Sequence, residues 1–224
     1  MAQLELKNLD KYYTVDNTPI AAIKDISLTI EKGDFISIIG HSGSGKTTLI
    51  SIIGGILKPT SGNVLFKGTD ICTLNDRELS EYRNRNIGFM FQFSSLLPIL
   101  TAKENVLLPD LFSKNRQPGA EKKAAELLDM VGIGEKNDAY PRQLSGGQQR
   151  RVAIARALMN EPDIILADEP TGDLDEETEA EILELFQKIN QEKQVTMILI
   201  THNMDLAKKG KQQLRMSKNT LVPL

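Results

Sequence analysis

Cysteine is nearly absent from this chain, and so is any long apolar run. Cys72 is the single cysteine in 224 residues, so no disulfide can form within the chain, and its neighbours Asp70, Ile71, Thr73 and Leu74 add no second thiolate or imidazole for a metal. It reads as a small apolar residue in a reducing compartment. No apolar stretch approaches the roughly 20 residues that span a bilayer. Met1 to Glu5 also lacks the charged-then-apolar order of a signal segment. The expectation is a cytosolic protein, or one held at a membrane only through a partner. An excess of positive charge is missing too. Lys and Arg number 27 against 30 Asp and Glu, a net charge of -3, which argues against nucleic acid as the main partner because neutralising phosphates needs a basic face. There are no internal repeats and no low-complexity linker.

What is present is organised around Gly40-His41-Ser42-Gly43-Ser44-Gly45-Lys46-Thr47-Thr48. This fits G-x-x-x-x-G-K-[ST], directly after the apolar run Phe35 to Ile39 and directly before Leu49 to Ile53. A strand feeding a glycine-rich turn into a helix makes a phosphate cradle, because successive N–H groups and the positive helix end converge on one anion. Lys46 would reach the β- and γ-phosphate oxygens, and the Thr47 hydroxyl would take a place on Mg²⁺. A nucleoside triphosphate site follows as the working premise.

Taken in order, Leu4, Leu6 and Leu9, then Ile20 to Ile23, Ile26, Leu28 and Ile30, read as short antiparallel strands around a turn at Val15 to Pro19. A helix from Thr48 to Leu57, a strand from Asn63 to Gly68, a polar helix from Leu74 to Arg85 and a strand at Ile87 to Phe91, ending on Gln92, come next. Leu96 to Pro109 is mixed in character, and Ala120 to Val131 has helical spacing. Residues 93–158 are therefore expected to form a mainly helical subdomain inserted into an α/β core of 1–92 and 159–224. Ile164 to Ala167 is expected to be a buried parallel strand ending in Asp168-Glu169-Pro170, Glu176 to Gln191 an amphipathic helix, and Val195 to Ile200 a buried strand that delivers Thr201-His202-Asn203 to the same edge. A last helix near 204–210 and a weak strand pair around Leu214 and Leu221 close the chain. The fold class is α/β: a P-loop core of mostly parallel sheet with helices, an antiparallel N-terminal layer and the helical insertion.

Cleaving a phosphoanhydride needs positioned phosphates, Mg²⁺ and a polarised water. Asp168, at the end of its strand, could hold Mg²⁺ and Glu169 could orient the water, although two adjacent carboxylates also suit a solvated strand terminus. His202 could contact a γ-phosphate or be structural, and His41 stands at an unconstrained loop position. Tyr13, beside Tyr12 just before the first turn, could stack on an adenine or simply pack. Leu144-Ser145-Gly146-Gly147-Gln148 is a second glycine turn that opens a helix, Gln149 to Met159, and so a second anion-binding terminus. If the two turns lie on different subdomains, two chains arranged head to tail with nucleotide between them would use both.

In this order and at this spacing, the phosphate loop, Gln92, the LSGGQ stretch with Gln149 to Ala157, the ILADEPTGDLD run from Ile165 to Asp175, and Thr201-His202 resemble the nucleotide-binding subunit of an ATP-binding cassette (ABC) transporter over nearly the whole chain. LSGGQ is the most specific of these elements. The resemblance implies that Tyr13 stacks on adenine, that Gly40 to Thr48 bind phosphates, that Gln92 reaches Mg²⁺ and senses a membrane partner, and that Ser145, Gly146, Gly147 and Gln148 close on the ATP of a second copy. It implies Asp168 for Mg²⁺, Glu169 as catalytic carboxylate, His202 as switch histidine and Gly172 to Asp175 as the loop crossing the dimer interface. Gly88 to Phe93 with Leu96 to Pro98 and Leu100 to Val106 resemble the lipoprotein-release, macrolide-export and antimicrobial-peptide-resistance group. An ATPase at the cytoplasmic face of the membrane, bound to a separate permease, is then expected. The alternative is a non-transporting ATPase that regulates a membrane protein in cell-wall remodelling or division. The chain departs from the family in three places: Asn203 follows the histidine where an acid is usual, Asp173 stands where asparagine is frequent, and the tail after Ala207 lacks the acidic-glycine pattern.

Overall fold

The computed structural model describes residues 2–92, 94–114, 116, 118–203, 207–208 and 210–224. They divide into two compact units, one of residues 1–82 and 196–224 and one of residues 83–195. The first unit opens with β1 (Leu4–Val15) and β2 (Thr18–Ile30), one long hairpin where short strands were expected. Val15 pairs with Thr18 across Asp16 and Asn17, whose φ values of 47° and 61° make the two-residue turn that matches strand twist.

The buried leucines of β1 fall at positions 4, 6 and 9, and that break in period has a physical cause. Pairing shifts between Leu6 and Leu9. Asn8 (φ 46°) and Asp25 (φ 46°) form the irregularity, joined by a 3.0 Å hydrogen bond from Asn8 Nδ2 to Asp25 Oδ1. The extra residue returns Leu9 to the face of Leu4 and Leu6. With β4 (Ser61–Phe66) and β5 (Thr69–Asp70) this sheet runs β2-β1-β4-β5, the antiparallel N-terminal layer.

The same unit contains β3 (Phe35–Ile39), β8 (Thr196–Thr201), β9 (Gln212–Ser217) and β10 (Thr220–Pro223), ordered β10-β9-β3-β8. β3 is parallel to both β8 and β9, and β10 folds back antiparallel on β9. Every residue of β3 and β8 is buried, as expected of a parallel strand covered on both faces. The turn after β9 reaches back to β2: Lys24 N–H donates to the Asn219 carbonyl at 2.8 Å. α1 (Lys46–Ile53) follows β3, and α2 (Asp76–Asn86) carries the chain into the second unit. The helix expected at 204–210 falls mostly on residues outside those described.

The second unit holds the parallel pair β6 (Ile87–Met90) and β7 (Ile164–Asp168) with α3 (Ala102–Leu111), α4 (Ala120–Met130), α5 (Gly146–Leu158) and α6 (Glu176–Lys193). α5 is buried along most of its length because α3, α4, α6 and β6 all pack on it. α3 lies in a stretch whose composition did not announce a helix, since Pro109 sits inside it. In the last turn of the helix the Pro109 carbonyl accepts from Asn84 Nδ2 at 2.8 Å and Asn160 Nδ2 at 3.1 Å. Its start is a capping box of Thr101 and Glu104.

Asn105 on α3 is fully buried and fastens the irregular chain before the helix. Its Nδ2 donates to the carbonyls of Leu97 (3.1 Å), Leu100 (3.1 Å) and Thr101 (2.9 Å), and its Oδ1 accepts from Leu97 N–H at 2.7 Å. Asn105→Ala would strand buried backbone groups and is expected to cost about 2–4 kcal/mol. Thr101→Ala, which loses only the cap, should cost about 1 kcal/mol. Urea-unfolding midpoints of the two variants check the ranking.

Candidate nucleotide site

In the first unit β3 delivers the chain to the phosphate loop, and close packing holds the loop from beneath. A Cβ on Gly45 would stand 2.1 Å from the Ala22 carbonyl oxygen of β2, and φ there is +101°, so only glycine fits. Met216 of β9 fills the remaining space, with its Cε 3.0 Å from that Cβ position. Gly45 caps α1 with no side-chain hydrogen bond, and the first helical bond runs from Leu49 N–H to the Gly45 carbonyl at 2.9 Å. The N–H groups of Gly45 to Thr48 therefore precede the helix's own ladder, at its positive end.

Lys46 is only 8 % exposed, and its Nζ donates to the carbonyls of Gly40 (2.7 Å) and His41 (3.0 Å). The ammonium is thus folded back over the loop, supported by oxygens that a phosphate could replace. Ser44 Oγ is buried with no hydrogen-bond partner among the described residues. An orphaned hydroxyl and a folded-back cation suit an anionic ligand. His41 and Ser42 are exposed, and the His41 carbonyl also accepts from Ser44 N–H at 3.2 Å. Thr47 is exposed on the first turn of α1, and Thr48 is half-buried. Tyr13 is 42 % exposed on β1 with the Lys11 ammonium 5.5 Å from its ring centroid. His202 is exposed directly after β8, and Asn203 N–H turns back to Thr201 Oγ1 at 3.0 Å.

In the second unit β7 ends on Asp168, half-buried, and Glu169 follows with φ 47°. A left-handed glutamate costs about 1–2 kcal/mol, so the turn after it must be held. Gly172 N–H donates to the Glu169 carbonyl at 3.3 Å around Pro170, and Thr171 Oγ1 donates to Glu179 of α6 at 2.7 Å. Asp175 caps α6 by accepting from Thr178 N–H at 2.9 Å, which holds its carboxyl below the usual range. Gln92 is exposed two residues beyond β6. Asp168, Gln92 and Thr47 offer hard oxygen donors of the kind Mg²⁺ prefers, and among the described residues no cluster of three or more His, Cys, Asp or Glu forms a dedicated metal cage.

The signature turn has an architectural role of its own. Ser145 caps α5: Gln148 N–H donates to Ser145 Oγ at 3.2 Å, and Ser145 N–H donates to Gln148 Oε1 at 2.9 Å. Two of the helix's surplus donors are satisfied in this way. A Cβ on Gly147 would meet Thr178 Cγ2 at 2.6 Å, whereas one on Gly146 meets nothing closer than 3.5 Å. Thr178 cannot swing away, because its hydroxyl is held by Asp175 Oδ2 at 2.8 Å.

Motif reading did not anticipate two arginines. Arg150 is 3 % exposed and donates from Nη1 to the Phe91 carbonyl at 3.1 Å. Burial lowers its pKa from the ordinary value, and Asp173, the residue that departs from the usual asparagine, pulls the other way. Arg156 donates from Nη1 to the Ser95 carbonyl and from Nη2 to the Ser94 carbonyl, both at 2.8 Å. Their signal was two charges six positions apart in a helix that is otherwise apolar along its inner length.

Gly147→Ala should destabilise the chain by about 1–3 kcal/mol through overpacking. Adding Thr178→Ser, which removes the methyl and keeps the hydroxyl, should restore most of that loss, while Gly146→Ala should cost under about 1 kcal/mol. Thermal midpoints of the three proteins decide the point, and no recovery in the double variant would show that the Thr178 contact is not the cause.

The family profile described as ABC transporter matches residues 23–172. An uncharacterized ABC transporter ATP-binding protein of Thermotoga maritima is 46% identical over 207 residues, 92% of this chain and 88% of that protein. The lipoprotein-releasing system ATP-binding protein LolD of Syntrophus aciditrophicus is 42% identical over 98% of each chain. The macrolide export ATP-binding/permease protein MacB of Rhodopirellula baltica is 43% identical over 98% of this chain, which covers 32% of that longer protein. Among solved structures, the dimeric post-hydrolysis state of the ATP-binding cassette MJ0796 bound to ADP and Pi superposes with TM-score 0.89 at 42% identity, covering 99% of this chain and 98% of the other. With a matching family profile and relatives of this identity along nearly its full length, the chain belongs to the ATP-binding cassette family of ABC transporters.

Proposed function

We propose that this chain is the ATP-binding and ATP-hydrolysing subunit that powers a membrane ABC transporter through a separate permease, and that two copies close head to tail on ATP. The observation that carries this reading is the pairing of an α1 terminus left uncapped by any side chain, with Lys46 folded over it, and a glycine-opened α5 terminus in the other unit of the chain. The LolD and MacB relatives, and a dimeric cassette holding ADP and Pi, support it. Residues 93–158 serve as the signature subdomain of that cassette, and 1–92 with 159–224 as its catalytic core.

Lys46 exchanges the Gly40 and His41 carbonyls for β- and γ-phosphate oxygens, while the N–H groups of Gly43 to Thr48 surround the β-phosphate and Tyr13 stacks on the base. Thr47, Asp168 and Gln92 would hold Mg²⁺, which would supply charge neutralisation for the phosphates. Glu169 orients a water and takes its proton as the oxygen attacks the γ-phosphorus, and the bond to the bridging oxygen breaks with its electron pair leaving on ADP. His202 donates to the γ-phosphate, and Ser145 to Gln148 of a second copy close over it. Closure and reopening drive the permease, and the transported molecule is a lipoprotein, peptide or antibiotic-like compound. No helix among the described residues is long and apolar enough to cross a membrane, so attachment at the cytoplasmic face runs through the permease.

Glu169→Gln tests the catalytic assignment. Turnover of ATP is expected to fall by about 10²–10⁴-fold, while equilibrium ATP binding persists. A variant that hydrolyses at the wild-type rate would remove Glu169 from the mechanism.

A further inference from the structure

Arg150 and Arg156 are spent on backbone carbonyls rather than on carboxylates, and those carbonyls all belong to one short stretch. Arg150 holds Phe91, and Arg156 holds Ser94 and Ser95 with the two arms of one guanidinium. Both arginines belong to α5, the helix that Ser145 to Gln148 open, and both are sufficiently buried for desolvation to lower their pKa values. Ser95 is held at φ 47°, outside the range a serine prefers. From Leu97 to Thr101 the same chain is fastened by Asn105. The segment has no regular secondary structure, yet its backbone is pinned from within while side chains such as Ile99, 80 % exposed, face outward.

A loop that needed only to connect β6 to α3 would not require a half-buried, forked cation at its midpoint. Burying a guanidinium is costly unless its donors are satisfied in good geometry, and a fork fixed to two successive carbonyls transmits displacement in a way that a flexible lysine would not. We propose that Arg156, seconded by Arg150, is a positioning residue that latches the backbone at Phe91, Ser94 and Ser95 to the signature helix, so that a change at Ser145 to Gln148 is felt at the 94–101 surface and the reverse. This rests on the ATP-closed pair of chains proposed above and adds to it a specific mechanical connection.

Hydrogen exchange read along the chain separates the two ideas. In Glu169→Gln protein with Mg-ATP, amides at 145–149 and at 94–100 should both slow relative to the nucleotide-free protein, the latter by roughly fivefold or more if the coupling has ordinary strength. In Glu169→Gln with Arg156→Gln, ATP should still slow 145–149 but leave 94–100 within about twofold of its nucleotide-free rate. A purely structural arginine would instead raise exchange at 94–100 with and without ATP and leave the ATP effect intact, which overturns the latch. Slowing confined to 145–149 in the Arg156-containing protein overturns it equally. If ATP slows neither region there, the closed pair itself is refuted and the latch falls with it. Should Arg156→Gln fail to fold, Arg156→Lys serves in its place: it keeps the charge without the fork, and an ATP response at 94–100 equal to that of arginine would contradict the proposal.

Discussion

An α-helix begins with donors it cannot use, and this chain treats that surplus in two ways. At α3, α5 and α6 side chains answer some of the donors: Thr101 with Glu104, Ser145 with Gln148, and Asp175. At α1 no side chain caps the end at all. α4 also starts on a left-handed glycine, Gly119, but there the residue is exposed and water can serve. Around α1 the lysine is buried, a serine hydroxyl is left over, and loop carbonyls hold the cation. That combination is stable enough to fold and unsatisfied enough to bind.

The neighbouring elements hold that arrangement in place. Gly45 is admitted beneath the Ala22 carbonyl because it lacks a Cβ, and Met216 closes the space from β9, so the antiparallel layer and the C-terminal hairpin both support the phosphate loop. The carboxylate edge follows the same logic in the other unit. β7 is apolar and buried until Asp168, and the unfavourable backbone at Glu169 is stabilised by the Pro170–Gly172 turn and the Thr171 to Glu179 bond. In each case a buried strand fixes the position of a strained or uncapped residue just past its end.

Much of this is legible in the amino-acid sequence, and the reason is chemical. Gly40 to Thr48, Ser145 to Gln148 and Asp168-Glu169 are motifs because few residue types satisfy their backbone and charge requirements, so residue type and order carry the information. The buried strands were legible as continuous apolar runs. α3 was not, since Pro109 and the polar Asn105 disguise it, and what stabilises it there is a set of contacts to Asn84, Asn160 and the 97–101 backbone that no local pattern encodes. The irregularity at Asn8 and Asp25 was equally hidden, because it depends on two strands agreeing. Arg150 and Arg156 were part of the signature stretch with no role of their own, and only their carbonyl partners give them one.

The central claim is that the phosphate loop of one chain meets the signature turn of another across ATP. It is tested most directly by mixing two Glu169→Gln, Cys72→Ser proteins, one carrying Ser42→Cys and the other Gly146→Cys, and adding a short bis-maleimide with and without Mg-ATP. The account predicts a crosslinked heterodimer that forms with Mg-ATP and is lost without it. Crosslinking that ignores nucleotide, or that joins like chains while the mixed pair stays monomeric, would contradict the head-to-tail arrangement.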